Sequence, residues 1–220
     1  MPEEIKQYGL RRTGTNLLAF LLTKNYDVKV HVDTLGWKHG PMRHAAMGRP
    51  ELPTVIMTRH PLSWLPSMWR VYKNTYRGIW KSIPDFAHFV KWRYSGGRAC
   101  PFTVRWSFAY GYWCWRNPGP IIRYEDLFVN PEIACEGLGF ERVTDEFVLP
   151  DKYVAPTAGK RTPEQIAEEF AKQTFMEIWT DELISDAEKG IDPHVLEAVG
   201  YDAELRTLPV VEKKEPQWRS

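Results

Sequence analysis

Short apolar runs along this chain alternate with stretches whose apolar residues recur three and four positions apart, a pattern that predicts strands separated by helices. Residues 5–9 form the first run. After a loop rich in Gly, Arg and Thr, residues 15–23 carry their leucines and Phe20 in helical spacing. Residues 27–33 alternate Val28, Val30 and Val32 with polar side chains, which predicts a second strand ending at the loop 35–40. Residues 53–58 read as a buried strand closed by Arg59, and Pro61 suits the first turn of a following helix. Residues 120–124 read as a fourth strand. Helical patterns return over 163–175 and 179–189, with Gly190 expected as a C-cap. Strands alternating with helices predict an α/β fold, a three-layer sandwich with a central, mostly parallel sheet. Ligands of such sheets bind at the carboxyl ends of the strands.

Composition narrows the picture. With 220 residues and 43% hydrophobic content, one domain spanning 1–220 is expected, and no repeat or low-complexity linker divides it. The formal charge of +1 gives no bulk field for wrapping nucleic acid or coating an anionic membrane. Any anion site must be local. Cys100, Cys114 and Cys135 have no metal-ligand spacing, and no metal is expected. An odd number of cysteines suits a reducing compartment, and no signal-like or membrane-length apolar segment occurs, so the expected location is cytoplasmic. Nothing in the sequence sets an oligomeric state.

Gly9-Leu10-Arg11-Arg12-Thr13-Gly14 places two glycines around a strand-to-helix turn, as in phosphate-binding (P-loop) turns. Such a loop turns backbone N–H groups toward an anion, and the helix N-terminus adds its positive end. Thr15 and Asn16 stand where a nucleotide triphosphatase carries Lys and a Mg²⁺-binding Ser or Thr. Arg11 and Arg12 supply positive charge instead. By itself the turn is equally compatible with a plain helix cap flanked by solvated arginines. A second anion site, separate from this loop, is expected from Arg59 at a strand end, with Ser63 and Ser67 on one face of the next helix.

Together with Arg123-Tyr124-Glu125-Asp126-Leu127, these motifs resemble the sulfotransferases that use 3′-phosphoadenosine 5′-phosphosulfate (PAPS), over roughly residues 5–130. The resemblance implies a P-loop nucleotide-binding fold and PAPS as donor. It implies that Arg11, Arg12, Thr13, Gly14, Thr15 and Asn16 bind the 5′-phosphosulfate, that Arg59 and Ser67 bind the 3′-phosphate, and that Tyr124 lies near the adenine. Lys160 and Arg161, in Gly159-Lys160-Arg161, loosely echo the family's basic nucleotide loop; a solvated charge pair is the alternative.

Transfer of a sulfuryl group needs a base for the acceptor proton and a cation for the leaving group. His39, in Gly36-Trp37-Lys38-His39-Gly40, is the expected base, with His44 and His60 as alternatives. Arg11 or Arg12, with Lys38 as a further candidate, is the expected partner for the leaving phosphate, and Lys38 is also an alternative base. The aromatic-rich segment 71–118 is expected to be helical and to supply an acceptor or lid region, with a hinge at Gly96-Gly97. Within it Trp106, Tyr110 and Trp113, spaced at four and three, are expected to be core. The acceptor would be a hydroxyl or amine on a small molecule or carbohydrate. A kinase of the same fold and a catalytically inactive donor-binding module are the competing readings.

Overall fold

The computed structural model describes residues 3–75, 83–91, 102–116, 119–151, 153–155 and 159–209, without the side chains of residues 75, 153–155, 159–161 and 163. In chain order the elements are β1 (Glu3–Gly9), α1 (Thr15–Asn25), β2 (Val28–His31), β3 (Thr54–Thr58), α2 (Pro61–Thr75), α3 (Phe86–Lys91), α4 (Phe102–Arg116) and β4 (Ile121–Arg123). Then follow α5 (Asp126–Val129), α6 (Pro131–Glu136), β5 (Tyr153–Ala155), β6 (Gly159–Arg161), α7 (Pro163–Ala171), α8 (Asp181–Glu188) and α9 (Pro193–Ala198), with 3₁₀ turns at Ala45–Met47 and Thr174–Ile178. Strands β2, β1, β3 and β4 form one parallel sheet in that order. The expected α/β sandwich with a parallel sheet is therefore what the chain adopts.

Period-two alternation divides the core between the two faces of the sheet. Ile5, Val55, Met57 and Ile122 pack with α1, α5, α6 and α7 on one face. Tyr8 and Ile56 point the other way, into α2, α3, α4, α8 and α9. Both faces are covered, which is why β3 reads as an unbroken apolar run. No helix among the described residues is long and apolar enough to cross a membrane.

Three local outcomes differ from the sequence expectation. The helix expected over 163–175 stops at Ala171, because Gln173 turns left-handed (φ 50°) and the chain continues as a 3₁₀ turn. Gly190 is not a left-handed cap; a Cβ there would meet Thr103 Oγ1 at 2.1 Å, so its size admits α4. The segment around Gly159 pairs as a short antiparallel hairpin, β5 with β6, in place of a loop.

The aromatic helices hold the sheet end by hydrogen bonds as well as by packing. Pro66 sits inside α2 and cannot donate to the carbonyl four residues back, and that carbonyl, Leu62 O, accepts from Trp179 Nε1 at 2.9 Å. On α4, Trp106, Tyr110 and Trp113 are at most 2% exposed, as their spacing predicts. Their polar tips donate to Arg59 O, Met57 O and Gly40 O at 3.1, 2.9 and 3.2 Å. These three carbonyls near the end of the sheet thus have donors.

His60 follows β3. Its amide donates to Glu125 Oε1 at 3.2 Å, its Nδ1 accepts from the Leu62 amide at 3.3 Å, and its ring meets Tyr201 edge-on. Burial pushes its pKa from 6.5 down to about 3. As pH falls below 6.5 the unfolded chain binds a proton that the folded chain refuses, so this histidine costs stability in acid, about 2 kcal/mol at pH 5. Glu125 is shifted upward by burial and contributes the opposite slope, so the informative comparison is with a variant. His60→Asn keeps an acceptor for the Leu62 amide. Between pH 7 and pH 5 it should lose about 2 kcal/mol less stability than the parent in urea titrations; equal losses would contradict a neutral buried His60.

Candidate functional site

The loop after β1 curls because Arg12 (φ 71°) and Gly14 (φ 84°) are both left-handed. Arg12 bears strain there, whereas Gly14 is required twice over, since a Cβ would also lie 2.6 Å from Tyr124 Cδ2. Thr13 is fully buried and donates from Oγ1 to Leu10 O at 2.7 Å. Its amide also turns to Leu10 O, at 3.4 Å, so Thr13 braces the turn with both groups. Thr15 is also buried. Gly14 offers no side chain to cap α1, and no acidic residue stands in the first turn, so that helix end retains its positive character. Arg11 and Asn16 are exposed at the two ends of the curl.

The second arm comes from β3 and α2. Arg59, 6% exposed, lies over Tyr124 with its guanidinium carbon 4.3 Å from the ring centre. Its Nε donates to Ser63 Oγ at 3.0 Å and its Nη1 to Arg12 O at 3.2 Å. Ser63 in turn donates to Glu125 Oε1 at 3.1 Å, and Tyr201 donates to Glu125 Oε2 at 2.8 Å. Ser67 does not pair with Arg59; it accepts from Arg12 Nε at 3.2 Å. The expected second anion site is therefore not separate from the first loop. Arg12 joins the two, because parallel neighbours β1 and β3 end side by side, with Gly9 opposite Met57. Tyr124 follows β4 and packs against both Gly14 and Arg59.

Lys38 and His39 enter from the loop after β2. Lys38 is buried and donates from Nζ to Asn16 Oδ1 at 2.7 Å, with Asp33 at 3.8 Å. A cation thus reaches the end of the phosphate-type loop from the neighbouring strand. Burial lowers its pKa, against the pull of Asp33. His39 Nδ1 lies 2.5 Å from Gly9 O, which can only accept, so the proton of the neutral ring sits on Nδ1. Nε2 is left as the basic atom. Burial first, then the charges on Lys38 and Arg11, lowers the pKa of His39 to about 4, despite the Gly9 hydrogen bond. His44 and His60 take no part: His44 pairs with Tyr8, and His60 is sealed in the core.

What positions this loop is Lys6, a residue the sequence pattern did not single out. It is fully buried on β1 and donates to Val32 O, Thr34 O and Gly36 O at 2.8, 2.8 and 2.6 Å. A cation at an inward-looking strand position was the available signal. All three ammonium protons are spent on one loop, and burial lowers the pKa to about 8.

A cavity of about 240 Å³ opens beside the curl. Trp37, Trp64, Tyr72 and Phe102 wall it, and Arg11, His39 and Arg105 bring polar atoms. Of these, Tyr72 belongs to the aromatic residues expected at an acceptor pocket. Phe102 and Arg105 also fall in the segment 71–118 from which an acceptor region was expected, though neither was singled out, and Trp64 lies outside it; they meet because α2 and α4 cross above the sheet end. A wider cleft of about 590 Å³, flanked by Phe108 and Trp115, shares no residue with the curl. The proposed hinge at Gly96-Gly97 lies outside the described residues, as do the side chains of Lys160 and Arg161, whose backbones form β6. Among the described residues no cluster of three His, Cys, Asp or Glu side chains is arranged to hold a metal.

The chain matches no protein-family model, no curated protein and no solved structure.

If Lys6 organises the loop after β2, Lys6→Met should raise amide exchange over residues 32–40 by about tenfold or more, since each charge-assisted bond lost is worth on the order of 1.5–3 kcal/mol. Protection equal to the parent's in that segment would show that the loop holds itself.

Proposed function

We propose that the protein is a sulfotransferase that carries the sulfuryl group of PAPS to a hydroxyl or amine acceptor. The observation that carries this reading is the meeting of three groups at the carboxyl ends of adjacent parallel strands. They are a Gly-Arg curl without the Lys-Ser/Thr pair of triphosphatases, the Arg59–Ser67 arm, and the Lys38-His39 loop. Backbone N–H groups of residues 11–16 would receive the phosphosulfate, and Arg59 with Arg12 and Ser67 the 3′-phosphate. Tyr124 offers its ring to the adenine or braces Arg59 beneath it.

In the transfer, the acceptor oxygen or nitrogen attacks sulfur as its proton passes to His39 Nε2. The bond from sulfur to the bridging oxygen breaks, and its electron pair leaves with adenosine 3′,5′-bisphosphate. Lys38 and Arg11 stabilise that developing charge. A carboxylate donated to by Ser63 and Tyr201, Glu125, holds the start of α2, just after Arg59, in place without touching the reacting atoms.

Calorimetry should find adenosine 3′,5′-bisphosphate bound about tenfold or more tighter than adenosine 5′-monophosphate, unaffected by chelators, and Arg59→Lys should erase most of that preference. Equal affinities, or a requirement for Mg²⁺, would favour a kinase-like or unrelated site.

With labelled donor, His39→Ala should lower turnover about 10²-fold while donor affinity stays near the parent's. The free protein's His39 is neutral above about pH 5, and bound donor anions oppose Lys38 and Arg11 and raise its pKa. Parent turnover should therefore fall on the acid side of neutrality, a limb that His39→Ala lacks; an unchanged profile would remove His39 from the chemistry.

A further inference from the structure

The polar atoms around the 240 Å³ cavity are unevenly spent. Trp64 Nε1 donates to Arg11 O at 2.7 Å, and His39 Nδ1 is committed to Gly9 O. Leu10 and Met68 complete the apolar lining. A sugar ring placed here would meet mainly aromatic faces and the Leu10 and Met68 side chains, with Trp64 Nε1 and His39 Nδ1 already engaged, so most of its hydroxyls would lose water without replacement. A flat aromatic ring meets no such cost, and Trp37, Trp64, Tyr72 and Phe102 offer faces and edges to it.

Charge narrows the ligand further. Two arginines, Arg11 and Arg105, line the cavity, and among the described residues no carboxylate does. Arg11 stacks on Trp37, its guanidinium carbon 5.3 Å from the ring, on the side of the curl. Arg105 projects from α4, exposed, and has no ion-pair partner among the described residues. It sits on the α4 side of the cavity, whereas His39 and Arg11 come from the loops after β2 and β1.

Resting on the sulfotransferase reading for its chemistry, the geometry points to an acceptor that is a small phenol bearing a carboxylate. Its ring lies between the aromatic walls, its hydroxyl faces His39 Nε2, and its carboxylate takes the guanidinium fork of Arg105. The fork binds a planar carboxylate through two parallel hydrogen bonds, which a neutral substituent cannot match. Arg105 is thus a specificity-determining residue for the acceptor and has no part in proton transfer.

The test separates binding from turnover. Without donor, tryptophan fluorescence and calorimetry should find 4-hydroxybenzoate and benzoate bound about tenfold or more tighter than 4-hydroxybenzamide, with glucose undetected. Arg105→Gln should abolish the carboxylate preference while leaving the thermal midpoint and adenosine 3′,5′-bisphosphate affinity unchanged. Equal binding of the acid and the amide, or an Arg105→Gln variant that keeps the preference, overturns the assignment. With labelled donor, 4-hydroxybenzoate should accept sulfate better than the amide. Arg105-dependent binding of the acid with no transfer to it or to any other phenol upholds the pocket and counts against the sulfotransferase reading. Tight adenosine 3′,5′-bisphosphate binding with transfer to a sugar alone upholds that reading and overturns the pocket.

Discussion

Gly9 ends the central strand at a point where three parts of the chain come within van der Waals distance. Its amide donates to Lys38 O at 3.1 Å, its carbonyl accepts from the His39 ring, and a Cβ would lie 2.7 Å from Met57 O and 2.8 Å from Thr13 Oγ1. Any other residue would push the curl away from β3 and break the contact that sets the tautomer of His39. The site therefore depends on close backbone approach first and on its charged side chains second. Strand β1 can make this approach because it lies between β2 and β3 in the sheet.

Charges gathered at this point would repel one another in the absence of a ligand, and the surrounding structure is built to hold them. Arg59 is buried but stacks on Tyr124 and spends its donors on Ser63 and the Arg12 carbonyl, while Glu125 lies within reach of its field. Lys38 is buried against Asn16 and Asp33. Lys6 turns a third buried cation into a clamp on the loop that carries Lys38 and His39. Each is paired with dipoles more than with full charges, which leaves net positive potential for an anion to neutralise.

The frame that keeps these groups in register is aromatic. Trp64, Trp106, Tyr110, Trp113 and Trp179 each combine a buried ring with a polar tip that satisfies a backbone carbonyl near the strand ends. One side chain then supplies apolar burial and closes a hydrogen bond that bent backbone would otherwise leave open. Trp64 among them also walls the cavity, so the packing that stabilises the sheet end also shapes what can enter beside it.

Periodicity carried the architecture in the sequence itself. The four apolar runs became the four strands of the parallel sheet within one or two residues, and the switch to helical spacing at Thr15 and Pro61 marked where α1 and α2 begin. Gly9 and Gly14 were legible as a turn, because few residues other than glycine fit where backbones touch or φ is positive. Tertiary structure alone decided which distant residues meet. Ser67 faces Arg12 rather than Arg59, the missing loop cation arrives as Lys38, Lys6 clamps a loop some thirty positions away, and Arg105 joins Trp64 at one cavity. Local pattern reports which face of an element is buried. It does not report the order of strands in a sheet or the crossing of helices above it, and those two facts determine which side chains share a site.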